Sequence, residues 1–453
     1  MRLATSPLKS SRIWLASHGS RAAGSVALSG GDLKSRKLAV PLFALLALGH
    51  CLAFVDRNLP AVAAPLLKTD MGLSDAQLGL LDGPAFVLLY VVGMLGSWPL
   101  ARSRNRFRML ALCIVTWAAG MAIFAFGHAF IVLVLARAMV GLGQAAYVPL
   151  ALNLMVECSA PQWRARSIAI FTAAAPIGRG LSLLLGGGVL AMFARWVPGA
   201  AFAHWRLLFL VMAAPNLLLI GMLLNRKELS HEAAPPSGGV FKQIQAAFWE
   251  RPGMMCAYLC GAGASVLVVQ AIGAWAPSIL HREHGLTPAM AASVFGVCLL
   301  VAQPVGHFTA GALIDRSQRG MSPMTMVAWA LLLVIPLLSL IPRASSASTA
   351  CCLLALASLV GGIAALAALA NLPLILGTSL HDAGFRIFLS FITLTGVALG
   401  PFMTGLISDG LGTGGHGLSL ALCNVCAGAA VLGTLAAFFA GRNGRRTAME
   451  HVG

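Results

Sequence analysis

Apolar positions in this chain are gathered into long, nearly unbroken runs, without the regular polar interruptions of a water-exposed helix or strand. The runs cover residues 38–63, 76–101, 107–127, 129–157, 166–193 and 204–224, then 254–280, 288–314, 322–341, 350–378, 383–409 and 416–440. Each can supply the roughly 20 residues that a helix needs to cross a hydrocarbon core. A helix also satisfies its own backbone there, which an open strand cannot. The pattern predicts twelve membrane-spanning helices. Between the sixth and seventh runs lies a polar linker, 225–253, containing Asn225-Arg226-Lys227-Glu228 and Pro235-Pro236-Ser237-Gly238-Gly239. The chain therefore reads as an all-α integral membrane protein. Its two six-helix bundles, 38–224 and 254–440, are expected to pack about an axis along the membrane normal. Residues 1–37 read as a disordered, basic cytoplasmic tail and 441–453 as a second tail. No short apolar core with a cleavage site follows the early arginines, which argues against a secretory signal.

Composition agrees with this reading. Hydrophobic residues make up 58% of the chain and charged residues only 10%, whereas soluble domains carry about 25% charged residues. The 49 glycines suit membrane helices, where small residues let backbones approach. A net charge of +17 would suit a nucleic-acid binder, but the basic residues sit in short clusters between apolar runs and form no soluble face. Their placement instead fixes an orientation. With the N-terminus inside, 23 lysines and arginines fall on the cytoplasmic side and five outside (Lys68, Arg195, Arg206, Arg282, Arg343). The positive-inside bias predicts an inner-membrane protein with both termini cytoplasmic.

The ten cysteines fall almost entirely inside apolar runs, and Cys423–x–x–Cys426 is a lone pair within a span. They read as small packing residues, not as metal ligands or a redox centre. Metal and cofactor are expected to be absent, and no span carries a nucleophile beside a base.

Charged residues inside spans are costly, by at least about 2.5–3.5 kcal/mol on insertion scales, and so usually face the bundle interior and mark a pathway. At 1.5 Å per residue, Asp56 lies roughly 10 Å and Arg137 roughly 12 Å below the outer ends of their runs. The same rise places Gln144, Arg179 and His50 near the midplane. Asp56 reads as the only acid deep in a span. It is either a proton carrier working with Arg137 or half of an ion pair, with Arg57 or Arg137, that pins helices together. Arg57, Arg137 and Arg179 then leave about two uncompensated positive charges, which a carboxylate or phosphate head would relieve. Arg57, Arg179, Gln144, His50 and Gln270 are the candidate solute-binding residues, with His307, Gln303, Asn371 and Thr395 as further polar groups. Gly178, Gly180, Gly186, Gly187 and Gly188 read as packing and bending sites, since no strand precedes them to make a phosphate loop.

Several fragments, in order, resemble the major facilitator superfamily. Gly311-Ala-Leu-Ile-Asp315-Arg316 after the eighth span is similar to its loop signature, and Arg137-Ala-Met-Val-Gly141-Leu-Gly143-Gln144-Ala-Ala-Tyr147 to its fourth-helix motif. Gly396, Gly400, Pro401, Gly405, Ser408 and Asp409 form a comparable pattern in the eleventh span. Asp56-Arg57, Leu73-Ser74-x2-Gln77-Leu-Gly79 and Trp275-Ala-Pro277 resemble the spinster-like branch. The resemblance covers about residues 38–440 and implies alternating access, with lipid-like anions such as lysophospholipids among the solutes. The chain departs from the pattern in three places: Arg102 stands where an acid is expected after Leu100-Ala101, Gln144 replaces an acid, and Arg179 replaces a small residue.

The resemblance also assigns gating roles. An acid at the end of span two faces the start of span eleven, where a helix N-terminus favours negative charge by roughly 0.3–1 kcal/mol. Arg102 has the wrong sign for that contact, with Glu157 as its candidate partner, while Asp315, Arg316 and Asp409 are retained. A resting state shifted toward inward-open is the consequence. The expected function is transport of a small anionic or amphipathic solute by a monomer, with protons as the candidate coupling ion. An organic-anion or sugar-acid symporter and a transport-inactive sensor are the rivals.

Overall fold

The computed structural model describes residues 30–96, 105–159, 163–198, 202–226, 245–246, 248–316, 321–376, 381–412 and 415–450. It divides into a short unit, residues 1–42, whose described part from Gly30 on is helical, and a main unit, Phe43–Gly453, which holds the features below. Twelve helices are long and apolar enough to span a membrane: α1 Pro41–Met71, α2 Asp75–Gly96, α3 Arg106–Phe126, α4 Phe130–Cys158, α5 Arg166–Trp196 and α6 His204–Leu224, then α7 Pro252–Arg282, α8 Pro288–Arg316, α9 Pro323–Arg343, α10 Ala347–Ala370, α11 Gly384–Leu411 and α12 Gly417–Arg442.

Local chemistry sets several helix ends. Ser74 and Gln77 form a reciprocal capping box at the start of α2, satisfying two N–H groups that the first helical turn leaves free. Gly72, at φ +64°, makes the preceding turn, a backbone conformation that costs little only without a Cβ. Pro252 and Pro323 open α7 and α9, where the missing N–H costs nothing.

The packing of the first six helices is repeated by the second six. Helix α3 packs on α4 and α6, and α2 on α4; in the same way α9 packs on α10 and α12, and α8 on α10. Across the halves, α5 packs on α8 and α11 on α2, which are again equivalent pairs. This correspondence is what a duplicated six-helix unit related by a two-fold axis produces. Aromatic side chains fill the first half: Phe124 stacks on Phe209 at 4.4 Å and Trp117 meets Tyr147 edge-on. Leu218 and Phe308 are more than 70% exposed, as suits side chains whose solvent is lipid.

Two helices depart from regularity where the halves meet. Helix α2 breaks at Gly83, between segments Asp75–Asp82 and Pro84–Gly96. Pro84 has no N–H to continue the ladder. Opposite it, α11 widens to a π-helix over Thr393–Ala398, a form concentrated at functional sites. A Cβ on Gly83 would sit 2.6 Å from the Ala398 carbonyl oxygen, so this contact is backbone against backbone.

Most predicted runs match the helices to within a few residues. The first differs: α1 continues to Met71, eight residues beyond the end read at 63, because Lys68 and Thr69 extend the last turns. Asp56 therefore lies 15 residues from the end of α1, roughly 22 Å at the helical rise.

Candidate functional site

Three arginines converge on the interior of the first half near the break in α2. The Arg57 guanidinium, from α1, lies over the rings of Phe86 (4.2 Å), Phe54 (4.8 Å) and Tyr90 (5.0 Å), so aromatic faces support the cation. Arg137 of α4 donates through Nε to the Leu81 carbonyl (3.0 Å) and through one terminal nitrogen to the Arg57 carbonyl (3.0 Å). It stitches α4 to both α1 and α2 and serves a carbonyl beside the Gly83–Pro84 break. Arg179 of α5 donates to the Gln270 side-chain oxygen of α7, which joins the two halves and brings two of the candidate residues together. Among the described residues, Arg57 Nε, Arg137 Nη1 and Arg179 Nε are each buried without a hydrogen-bond partner.

The structure corrects the count of acids. Asp56 is not alone: Asp82 also lies inside a span, at the break in α2. It is half-buried, and Arg137, Arg179 and Arg57 are the cations acting on its carboxylate. Three arginines and two acids thus lie inside these spans, and the formal excess is one positive charge instead of about two. An acid in the apolar run 76–101, followed by Gly-Pro, was the available signal.

Asp56 is also placed differently from the expected pair with Arg137. It is fully buried and accepts from Asn216 Nδ2 of α6 at 2.7 Å, and Asn216 Oδ1 accepts from Trp117 Nε1 of α3 at 3.1 Å. The neutral Asn216 holds its Oδ2 within the first half, its Oδ1 is buried without a hydrogen-bond partner among the described residues, and Arg137 acts on it only at longer range. Two further candidates are bound to backbone: Gln144 donates to the Ala53 carbonyl (2.9 Å), and His50 Nδ1 meets the Phe171 carbonyl (2.8 Å) while stacking on that ring. Each ties α1 to a neighbouring helix. His307 of α8 lies within electrostatic range of Arg179.

The gating residues separate into two groups. At the end of the bundle that carries the α1–α2 turn, Asp75 accepts from Lys68 (2.5 Å), from Arg282 of α7 (2.8 Å) and from Ser408 of α11 (2.8 Å). Asp409 of α11 accepts the backbone N–H groups of Asp75 (2.9 Å) and Ala76 (2.8 Å). A carboxylate of the second half thereby caps a helix of the first, where the dipole favours it. Gly405 and Gly79 make the approach possible; a Cβ on Gly405 would lie 2.1 Å from the Asp75 carbonyl oxygen. Asp75, Lys68, Arg282 and Ser408 were not among the sequence candidates: Asp75 meets Arg282 and Ser408 only across the two halves, and Lys68 reaches it around the turn between α1 and α2. At the opposite end, Glu157 pairs with Arg106 of α3; its expected partner Arg102 lies outside the described residues. Asp315 and Arg316 are exposed at the end of α8, and the loop that follows, 317–320, is outside the described residues as well.

Glycines 178, 180, 186 and 187 lie against neighbouring helices as packing residues, and Gly188 faces open space. All ten cysteines are free thiols, with Cys298 and Cys351 sulfurs 3.4 Å apart.

Twelve spans in two equivalent sets, broken at a polar midplane, define a membrane transporter of the alternating-access type. The sequence profile of the Major Facilitator Superfamily matches residues 46–379, and the chain belongs to that superfamily. It is similar to an MFS-type efflux pump of Mycolicibacterium smegmatis, 26% identical over 90% of this chain and 94% of that protein. It is also similar to human protein spinster homolog 1 (28% identical, 54% of this chain and 47% of that protein). The 3-(3-hydroxy-phenyl)propionate transporter of Escherichia coli is 28% identical over 60% of this chain and 63% of its own length. In fold, the chain resembles a bacterial homologue of the lysosomal transporter Spinster in an inward-facing, unoccupied conformation, with a TM-score of 0.78, 24% identity, and coverage of 90% of this chain and 97% of that one. The spinster-like resemblance read from the motifs is thus found again in both sequence and fold.

Proposed function

We propose that this transporter carries a small anionic solute with an apolar body, held at its head by Arg57 and Arg179. The observation that carries this reading is the set of buried N–H groups on Arg57, Arg137 and Arg179 that have no partner. A buried donor left unsatisfied costs about 1–3 kcal/mol, and a carboxylate or phosphate entering the compartment recovers that cost through charge-assisted bonds. Arg137 is committed to two backbone carbonyls, which leaves Arg57 and Arg179 as the flexible donors. Because Arg179 binds Gln270 across the halves, a solute held there is positioned to sense their relative movement.

Both lipid-like and organic-acid solutes satisfy this chemistry; the spinster-like resemblance implies the first, and similarity to the 3-(3-hydroxy-phenyl)propionate transporter supports the second. Uptake by proteoliposomes separates them. Lysophosphatidate, 3-phenylpropionate and neutral monoacylglycerol are supplied in turn. Flux of either anion with none of monoacylglycerol supports the reading; equal flux of the neutral lipid contradicts it, and no flux of any probe points to the sensor reading.

The Asp75 face is taken as the outer one, from the distribution of basic residues, with both termini cytoplasmic in an inner membrane. The Asp75–Asp409 cluster then closes the outer mouth, and the structure corresponds to a state shut toward the outside. Asp56 is the candidate carrier if a proton accompanies the solute.

A further inference from the structure

We infer that Asp82 is a resident counter-ion of the arginine site, which a solute anion must displace in order to bind. The inference rests on the anion reading above and adds the residue that limits it. Its geometry stands on three placements. Asp82 is the last residue before the Gly83 break in α2, and Phe86, in the first turn beyond the break, is the ring beneath the Arg57 guanidinium at 4.2 Å. The residue before it, Leu81, receives the Arg137 Nε–H at 3.0 Å. Gly83, the residue after it, touches the π-helical turn of α11, which sets the carboxylate at the seam of the two halves.

The charges around Asp82 come from each neighbouring helix. Helix α1 supplies Arg57, since the Asp56 carboxylate is turned to Asn216. Helix α4 supplies Arg137 and the neutral Gln144, α5 supplies Arg179, and α2 itself carries Tyr90. The facing stretch of α11, Thr393–Pro401, contains no titratable side chain. Asp82 is thus the acid on which all three arginines act, yet among the described residues no salt-bridge contact locks it to one of them. The break at Gly83–Pro84 frees this part of α2 from a continuous ladder. A carboxylate that compensates the cations when no solute is present lowers the cost of their burial. The same carboxylate repels an incoming anion, which keeps binding weak enough for release.

The sign of the effect of a mutation distinguishes this role from packing. Thermal unfolding of the purified full chain is followed against inorganic phosphate at constant ionic strength, for parent, Asp82→Asn and Asp82→Glu. Removing the resident charge should strengthen the apparent affinity for phosphate at least tenfold in Asp82→Asn, while Asp82→Glu responds as the parent does. An Asp82→Asn response equal to or weaker than the parent's overturns the inference. Should Asp82→Asn melt without a cooperative transition, phosphate or the second change Arg179→Gln restores it if Asp82 is a counter-ion; restoration by neither assigns Asp82 to packing. Because phosphate is the probe, this outcome is independent of which solute crosses the membrane.

Discussion

Asp409 accepts the backbone N–H of Asp75 at 2.9 Å, so the last turn of α11 caps the first turn of α2 across the two halves of the molecule. The favourable placement of an acid at a helix N-terminus, which the motif comparison assigns to the opposite end of these helices, is realised here with the halves exchanged. In the sequence, Arg102 stands where that motif has its acid. We propose that the Asp409 cap favours closure on the Asp75 side.

Asp409→Asn removes the charge from two backbone contacts, each bond to a charged group being worth about 1.5–3 kcal/mol. The population should move toward a state open at the Asp75 face. Spin labels on the exposed Thr69 and Thr287, with the exposed cysteines Cys256, Cys260 and Cys352 replaced, should show a longer distance component in the variant. An unchanged distribution would remove Asp409 from the gate.

Two glycine substitutions should behave differently. Gly405→Ala places a methyl against the Asp75 carbonyl at the inter-half seam, and Gly141→Ala places one 2.0 Å from the Phe86 carbonyl within the first half. Overpacking costs about 1–3 kcal/mol. For Gly405 the molecule can avoid that cost by opening, so the label distance changes with little loss of thermal stability. For Gly141 no opening relieves the clash, and the unfolding midpoint should fall. Equal losses of stability would contradict the assignment of the seam.

The twelve spans were legible because each is a continuous apolar run, and even the capping residues Ser74 and Gln77 stand in a recognised fragment. Arg57, Arg137, Arg179 and Asp56 were legible because a charge in such a run is conspicuous. Asp82 was hidden in a run counted as apolar, although Asp-Gly-Pro marks a helix break. The pairing of Asp75 with Arg282, Ser408 and Asp409 was not legible at all, since it depends on how α2 meets α7 and α11 across more than 200 residues of sequence. Gln144 and His50 stood out as polar groups at the midplane, but their backbone partners, Ala53 and Phe171, exist only once α1 is packed.

Asp56 and Asn216 give a separate test of coupling and packing. Asn216→Ala leaves a buried carboxylate without its donor, and the unfolding midpoint should drop, with a cost of at least about 1–3 kcal/mol. Asp56→Asn is nearly isosteric. It should retain solute exchange while losing accumulation against a gradient if Asp56 carries the coupling proton. Accumulation equal to the parent's at every pH would place coupling elsewhere.

Orientation is checked by a reporter fused after Gly453 that is active only in the periplasm. It should stay dark, and activity would reverse the assignment of the Asp75 face.

The central claim, that buried arginines hold an anionic head, is tested most directly by comparing solute affinities of the parent and Arg179→Ala. Binding of lysophosphatidate and of the neutral monoacylglycerol with the same chain is measured on both proteins in lipid nanodiscs. Arg179→Ala should weaken lysophosphatidate binding by roughly tenfold or more, about 1.4 kcal/mol, and leave monoacylglycerol nearly unchanged. Equal losses for the two lipids would mean that Arg179 serves packing against Gln270 alone, and the anion account would not stand.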